Sequence, residues 1–279
     1  MYSEANVPIP TLQLFPVLDR ELTALLKSLS PEEWEAPTIA TLWKVKDIAA
    51  HLLDGNLRTL SILRDGYAGD PPGSIESYED LVAYLNQLNA NWVAAAKCLS
   101  PKVLIDLLEL TGKQYCDYLA TLDPFAKAAF SVAWAGETES KNWFHIAREY
   151  TEKWHHQQQI REATNRPGLM TRELFYPFID TFMRGMPHTY RNIAAADGTA
   201  VQLNVATEIG GSWFLLRREG GWHLTKEISQ AAAAVTIDPD VAWKLFTKGT
   251  TPQLAKEKAV IHGDAKLAEV ALGLIAVMA

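Results

Sequence analysis

Apolar residues recur at helical spacing through the first two thirds of the chain. The spacing predicts amphipathic helices at 11–29, 45–67, 78–98, 102–122, 142–164 and 172–191. Turn sequences such as Ser30-Pro31 and Asp70-Pro71-Pro72-Gly73 separate these segments, because a residue that precedes proline resists the helical backbone conformation. Long helices joined by short connections predict an up-down helical bundle over residues 1–193.

The pattern changes after about Ala196. Residues 200–207 and 212–218 either alternate between apolar and polar residues or form continuous apolar runs, and both patterns are typical of strands. The sequence Glu219-Gly220-Gly221 predicts the turn into a third strand at 222–226. A strand near 233–237, a helix at 239–246, a strand near 259–262 and a closing helix at 265–278 complete the chain. The predicted fold class is α+β with two domains, in which the bundle is followed by a small α+β domain over residues 198–279.

Composition and charge exclude several classes of function. The 279 residues are 48% hydrophobic, which suffices for a core in each of two domains. The net charge of −7, without clustered basic and aromatic residues, argues against nucleic-acid binding. No apolar stretch approaches the ~18 residues that span a bilayer and no N-terminal targeting pattern is seen, so we expect a cytoplasmic protein without a membrane partner. Cys98 and Cys116 fall in apolar helical patterns, and we expect both to be reduced core thiols.

The predicted helix 142–164 carries residue types that bind metals along one polar stripe. The stripe contains His145, Glu149, Glu152, His156 and Gln159. Glu152 and His156 are four residues apart, so both side chains project from one helix face and are able to grip one ion. The same spacing is also common on solvated helix faces. A third ligand is needed to decide between these two interpretations.

His51 is the best candidate for that third ligand. It lies at the edge of an apolar helical stripe formed by Val45, Ile48, Ala49 and Leu52. A histidine in this position is either an ordinary core residue or, together with Glu152 and His156, a ligand of a divalent ion. Two imidazoles and a carboxylate favour zinc, with nickel, iron, cobalt and manganese as alternatives.

The same segments resemble a known family. Residues 43–52, with the pattern W-x-V-x-D-I-A-x-H-L, resemble the first ligand helix of the mycothiol-dependent maleylpyruvate isomerase family, a branch of the DinB-like metal-binding four-helix bundles, and residues 151–163 resemble the second. Segments within 234–268 are similar to that family's sterol-carrier-like C-terminal domain. By position, the family's metal ligands fall on His51, Glu152 and His156. Gln159 stands where many relatives carry Asp.

The resemblance implies a metal-dependent enzyme that uses a low-molecular-weight thiol such as mycothiol on a small-molecule substrate. In the family's reaction the thiol adds to a cis double bond, the bond rotates, and elimination releases the trans isomer. A dicarboxylate substrate needs a cation, and Arg217 and Arg218 are candidates because successive strand residues point to opposite faces. Solvent-exposed strand arginines are the alternative interpretation. Glu149 and His145 are candidates for orienting the metal ligands.

Two other functions are compatible with the sequence. In the first, the two domains enclose a small apolar ligand without catalysis, and the metal is structural or absent. In the second, the metal assists hydrolysis and Glu149 acts as the base. A fourth protein ligand such as His155 or Asp54 would favour the structural metal. The sequence does not distinguish mycothiol from bacillithiol or glutathione.

The change of pattern predicts where a protease first cuts the chain. Exposed connectors rich in Ala, Asp and Gly carry few stabilising contacts, so limited proteolysis is expected to cleave first within 193–198 or within the Asp70-Pro71-Pro72-Gly73 turn. Mass spectrometry of the earliest fragments measures this. Early cleavage inside 45–63 with an intact connector would contradict the predicted domain layout.

Overall fold

The computed structural model describes residues 6–69 and 73–277, and the chain divides into two compact units. The helical unit comprises the residues up to Ala129 together with Glu149–Gly168, and the sheet unit comprises Phe130–Arg148 and Leu169–Val277. The sequence predicts a boundary at 193–198 instead. That boundary stays a prediction for the proteolysis experiment.

The helical unit is built from the predicted amphipathic helices and one four-residue helix that the pattern did not predict. Its elements are α1 (Phe15–Lys27), α2 (Pro31–Trp34), α3 (Val45–Arg58), α4 (Tyr78–Ala96), α5 (Pro101–Leu119) and the part of α6 (Asn142–Ala163) from Glu149 onward. Helix α5 packs against α1 and α3, and α3 also packs against α4. The apolar stripe predicted for α3 lies in the middle of the buried core, which places the adjacent His51 at the edge of that core.

Local sequence signals set where two of these helices begin. The Ser77 hydroxyl accepts from the N–H of Asp80 at 3.0 Å, and the Asp80 carboxylate accepts from the Ser77 N–H at 3.0 Å, which completes a capping box. The Ser100 hydroxyl accepts from the N–H of Val103 at 3.3 Å, and Pro101 occupies the first turn, where its missing N–H costs no helical hydrogen bond. These caps start α4 and α5 within one residue of the predicted positions.

A buried cation ties four helices of this unit together. The Lys153 side chain of α6 donates to Asp19 of α1 at 3.0 Å and to Asn56 of α3 at 2.9 Å. Its ammonium nitrogen also lies 4.7 Å from the ring centre of Tyr115 on α5. Gly112 of α5 makes room for this arrangement, because a Cβ there would lie 2.8 Å from the Asp19 carboxylate. A charge buried this deeply is tolerated only with such partners.

The sheet unit contains one mixed sheet. Within the described residues its strands are β1 (Ala200–Val205), β2 (Gly211–Arg218), β3 (Gly221–Thr225), β4 (Ala233–Ile237) and β5 (Val260–Gly263), in the order β3-β2-β1-β4-β5. Strands β1 and β4 pair in parallel, and the other pairs are antiparallel. The accompanying helices are α7 (Arg172–Met183), α8 (Met186–Thr189), α9 (Pro239–Phe246), α10 (Pro252–Lys258) and α11 (Ala265–Glu269). The predicted α+β class is confirmed.

Several helices differ from their predicted extent. The predicted helix 45–67 changes to a wider π-helical turn at Thr59–Arg64. The predicted helix 172–191 is interrupted between α7 and α8, because Pro187 has no N–H to continue the helical hydrogen bonds and restarts the chain as part of a new first turn. The predicted closing helix is regular only to Glu269 and continues as a 3-10 turn at Val270–Gly273.

A second helix was also absent from the prediction, although its start is marked in the sequence. In α10 the Thr251 hydroxyl accepts from the N–H of Leu254 at 3.3 Å, and Pro252 occupies the first turn. A Thr-Pro step of this kind is a helix-start signal. The helix is short, with one fully buried residue, Ala255, so its apolar periodicity is weak.

The expectation of two core thiols is wrong. Cys98 is exposed and Cys116 is half-buried. Cys98 lies in the turn after α4 ends at Ala96, so helical periodicity no longer directs it to the core. Asp70, Pro71, Pro72 and Met278 of the predicted elements lie outside the described residues. In the described part of the chain, no helix is long and apolar enough to cross a membrane.

The Lys153 anchor predicts a large loss of stability when its charge is removed. Lys153→Met keeps the aliphatic stem but leaves the Asp19 carboxylate without its cation. We expect the free energy of unfolding to fall by about 3 kcal/mol, because removal of one partner of a buried pair costs roughly 3–5 kcal/mol. Urea unfolding followed by circular dichroism measures the change.

Lys113→Met is the matched control. The Lys113–Asp117 pair also joins an ammonium to an aspartate, but its lysine side chain is 79% exposed, and exposed pairs contribute roughly 0–1 kcal/mol. The double variant Lys153→Met/Asp19→Asn is expected to recover part of the loss because it removes the stranded carboxylate. Equal effects of the two single lysine variants would contradict the anchoring role.

Candidate functional site

Helices α3 and α6 bring the three predicted metal ligands together. His51 belongs to α3, whereas Glu152 and His156 belong to α6 and are one helical turn apart. One ligand atom from each residue lies within 4.8 Å of those of the other two. In the described ranges, this is the one group of three or more His, Cys, Asp or Glu side chains with such a geometry.

The contacts within the cluster leave two acceptor atoms side by side. Nδ1 of His156 donates to the amide oxygen of Gln159 at 2.8 Å, so the lone pair of the neutral ring is on Nε2. That Nε2 lies 3.4 Å from Oε2 of Glu152, and the His51 and His156 ring centres are 4.6 Å apart. In the neutral ring this lone pair faces a carboxylate, an arrangement that a shared cation, either a proton or a metal ion, stabilises.

Burial and neighbouring charges set the protonation of the cluster. Burial lowers the pKa of His51 well below its ordinary value, the charge on His156 adds to this effect, and the Glu152 carboxylate opposes it. Burial alone would raise the pKa of Glu152, but the adjacent imidazole of His156, with smaller effects from His155 and His51, holds it below its ordinary range. At neutral pH the cluster therefore contains a neutral His51 and an ionised Glu152, which are the forms that bind metals.

These residues fit a divalent ion. Two imidazoles and one carboxylate are a donor set used by zinc sites that keep a position open for chemistry. Nδ1 of His51 is buried and has no hydrogen-bond partner among the described residues, so this imidazole has an uncommitted nitrogen. Buried polar atoms without partners are uncommon, and a metal-binding cluster is one setting that accounts for them.

His155 and Asp54, the two candidates for a fourth protein ligand, form hydrogen bonds with other residues. Nδ1 of His155 donates to the carbonyl of Thr151 at 2.9 Å, and burial together with the charge on His156 lowers the pKa of His155 to about 4. Asp54 accepts from Arg58 at 2.9 Å, and burial raises the pKa of Asp54 to about 6 against the effect of that cation. Neither residue belongs to the group of three.

The residue that holds the His156 ring is Gln159, which the sequence placed on the same polar stripe but to which it gave no orienting role. The amide oxygen of Gln159 accepts the imidazole proton, as a carboxylate would. The predicted orienting residues have other recorded partners: Glu149 accepts from the Tyr115 hydroxyl at 2.8 Å, and Nδ1 of His145 accepts from Arg148 at 2.9 Å. Their orienting roles stay predictions.

Trp43 also adjoins the cluster, and the sequence pattern assigned it no role. Its ring centre lies 4.8 Å from that of His51 and 5.9 Å from that of His156. Trp43 lies two residues before α3 begins, so helical periodicity does not place its side chain. The sequence signal that could have indicated a role for Trp43 was its position just before the predicted metal-ligand helix.

The two candidate substrate-binding arginines lie on β2 of the sheet unit. Arg217 is half-buried, its guanidinium lies 5.9 Å from the ring centre of Trp222, and its Nε has no partner in the described part of the chain. Arg218 is exposed beside the Glu219-Gly220 turn. Strand alternation thus gives the two residues different surroundings, and the substrate role of either stays a prediction.

Comparison with known proteins agrees with this architecture. The family profile described as "Mycothiol maleylpyruvate isomerase N-terminal domain" matches residues 15–161, which is more than half of the chain. None of the curated proteins matches the sequence.

Two solved structures share the fold. A crystal structure of the mycothiol-dependent maleylpyruvate isomerase superimposes with a TM-score of 0.53 and 11% identity, covering 88% of this chain and 91% of that one. A histidine-to-alanine mutant of the mycothiol-dependent maleylpyruvate isomerase gives a TM-score of 0.56 and 10% identity, covering 94% and 95%. The structural likeness concerns the fold, and the match over residues 15–161 shows that the chain belongs to the mycothiol-dependent maleylpyruvate isomerase family.

Proposed function

We propose that the protein is a metal-dependent enzyme that uses a low-molecular-weight thiol, of the maleylpyruvate isomerase or thiol-transferase type. The observation that carries this proposal is the convergence of His51, Glu152 and His156, in which Nε2 of His156 and Oε2 of Glu152 lie 3.4 Å apart. Zinc is the proposed ion because this nitrogen and oxygen donor set suits its borderline softness.

The charge of the cluster suits activation of a thiol. A bound divalent ion supplies Lewis-acid chemistry, which lowers the pKa of a thiol. His51 and His156 contribute neutral nitrogens in their ligating forms, and Glu152 contributes one negative charge, so the occupied site retains a net positive charge. That charge favours a thiolate over a thiol at neutral pH.

Neither cysteine of the chain belongs to the cluster, and Cys116 is poorly suited to act as the nucleophile. Burial and the neighbouring Asp19 carboxylate, 3.5 Å from the sulfur, raise the pKa of Cys116 to about 12. Cys98 is exposed in the turn after α4. A thiol supplied from outside the chain is therefore the proposed nucleophile, and family membership favours mycothiol.

The proposed substrate is a small molecule with a cis double bond and carboxylate groups, as the names of the solved relatives suggest. In this reaction the thiol adds to the double bond, rotation follows about the resulting single bond, and elimination regenerates the thiol. Arg217 and Arg218 are the proposed carboxylate-binding residues. Arg217 is the stronger candidate because its Nε is buried without a partner among the described residues.

The proposed metal site predicts the metal content of the protein and of alanine variants at the neighbouring residues His155 and His156. Protein purified without added metal or a histidine tag is expected to contain about one equivalent of a divalent ion, mainly zinc, because three converging donors bind it. His156→Ala is expected to lose the ion, since it removes one of those three donors. Elemental analysis by mass spectrometry measures the content.

His155→Ala is the matched control, because this residue neighbours His156 but lies outside the group of three. We expect this variant to retain the ion. Equal metal content in wild type and His156→Ala would refute the ligand assignment. Loss of metal from His155→Ala as well would favour a closed, structural site.

The thiol proposal predicts a spectral change in cobalt-substituted protein. Mycothiol is expected to alter the visible absorption, because sulfur ligation changes the spectrum of cobalt, whereas bacillithiol and glutathione test the selectivity for the thiol. Isomerisation of maleylpyruvate and thiol transfer to electrophiles are followed in parallel. If no thiol alters the spectrum and no electrophile is consumed, the function as a non-catalytic ligand-binding protein replaces this proposal.

A further inference from the structure

The two proposed ligand histidines are supported by different means. His156 donates through Nδ1 to Gln159 at 2.8 Å, and this bond fixes the orientation of its ring. Nδ1 of His51 is buried and has no such partner among the described residues. Whichever nitrogen of His51 binds an ion, no hydrogen bond holds this ring among the described residues, so it is free to rotate about χ2 unless packing prevents it.

Trp43 supplies that packing. Its indole lies against the His51 ring with a centroid distance of 4.8 Å and an interplanar angle of 40°, and against the His156 ring at 5.9 Å and 39°. The tryptophan is half-buried and packs on the same apolar core as α3. One side chain therefore contacts an imidazole from each of the two ligand helices.

The backbone around Trp43 holds the indole in place. The Trp43 N–H donates to the carbonyl of Ala40 at 2.7 Å, and the Trp43 carbonyl accepts from the Thr38 hydroxyl at 2.8 Å. A bridge between Pro37 and Lys44 closes the loop just before α3. A loop tied this closely to itself presents the indole as a fixed surface.

We propose that Trp43 is the positioning residue that holds His51 in its metal-binding orientation, as the hydrogen bond that His156 donates to Gln159 holds the His156 ring. This inference rests on the proposed metal site. Removal of the indole would leave a cavity beside both imidazoles, and His51 would gain rotational freedom that metal binding must then remove. The cost falls on metal affinity because the metal requires one ring orientation.

Competition with a chromophoric chelator measures zinc affinity in the variants. Trp43→Ala is expected to weaken zinc binding roughly 10–100-fold, the range seen when residues that orient metal ligands are removed. Trp43→Phe keeps an aromatic surface and is expected to restore most of the affinity. An affinity of Trp43→Ala equal to that of wild type would overturn the proposal, as would equal losses in the Ala and Phe variants.

Trp92→Ala controls for general loosening of the helical unit. Trp92 is also half-buried on the same core, and its indole donates to the Ala50 carbonyl at 2.7 Å. We expect this variant to unfold at a lower urea concentration while its zinc affinity falls far less than that of Trp43→Ala. Equal losses of affinity in the two alanine variants would assign the effect to the core and overturn the proposal.

A metal-free measurement separates this inference from the metal proposal. In NMR spectra of metal-free protein, the ring protons of His51 are expected to show ring-current shifts and one sharp set of signals. Trp43→Ala is expected to lose these shifts and broaden the signals, whereas Trp92→Ala is expected to retain them. Wild type without zinc affinity would refute the metal site. Unchanged His51 signals in Trp43→Ala would refute the role of Trp43, whichever result the metal gives.

Discussion

The helical unit depends on the burial of one ammonium group. Lys153 is 7% exposed, and the Asp19 carboxylate compensates its charge. Its ammonium also donates a hydrogen bond to Asn56 and lies over the face of the Tyr115 ring. Each partner comes from a different helix, α1, α3 or α5. Because a buried charge without partners is strongly unfavourable, these helices must meet α6 at this point. Apolar contacts have little directionality, whereas the ammonium has its partners only where these helices meet.

The same anchor bears directly on the candidate metal site. Asn56 lies on the helix that carries His51, and Lys153 is adjacent to Glu152 on the helix that carries His156. The bond of 2.9 Å between Asn56 and Lys153 thus fixes α3 relative to α6 within two turns of the proposed ligands. The buried ion pair and the candidate metal site share two helices, so the contact that fixes these helices also limits the distances between the proposed ligands.

The proposed chemistry is divided between the cluster and its surroundings. The cluster offers two imidazoles and one carboxylate, while the nearby Cys116 has a raised pKa and is unsuited to react. Gln159 and Trp43 support the two histidines, one by a hydrogen bond and the other by ring packing.

The sequence by itself determined the order and type of most elements. It predicted β4 at Ala233–Ile237 and α9 at Pro239–Phe246 as they are found, because periodicity reports which face of a local segment is apolar. It also paired Glu152 with His156, since one helix turn separates them. Only the tertiary structure decided that Lys153 is buried, that Trp43 contacts His51 and that Cys98 is exposed. These features depend on how helices pack across long separations in sequence, and local periodicity carries no information about distances between helices.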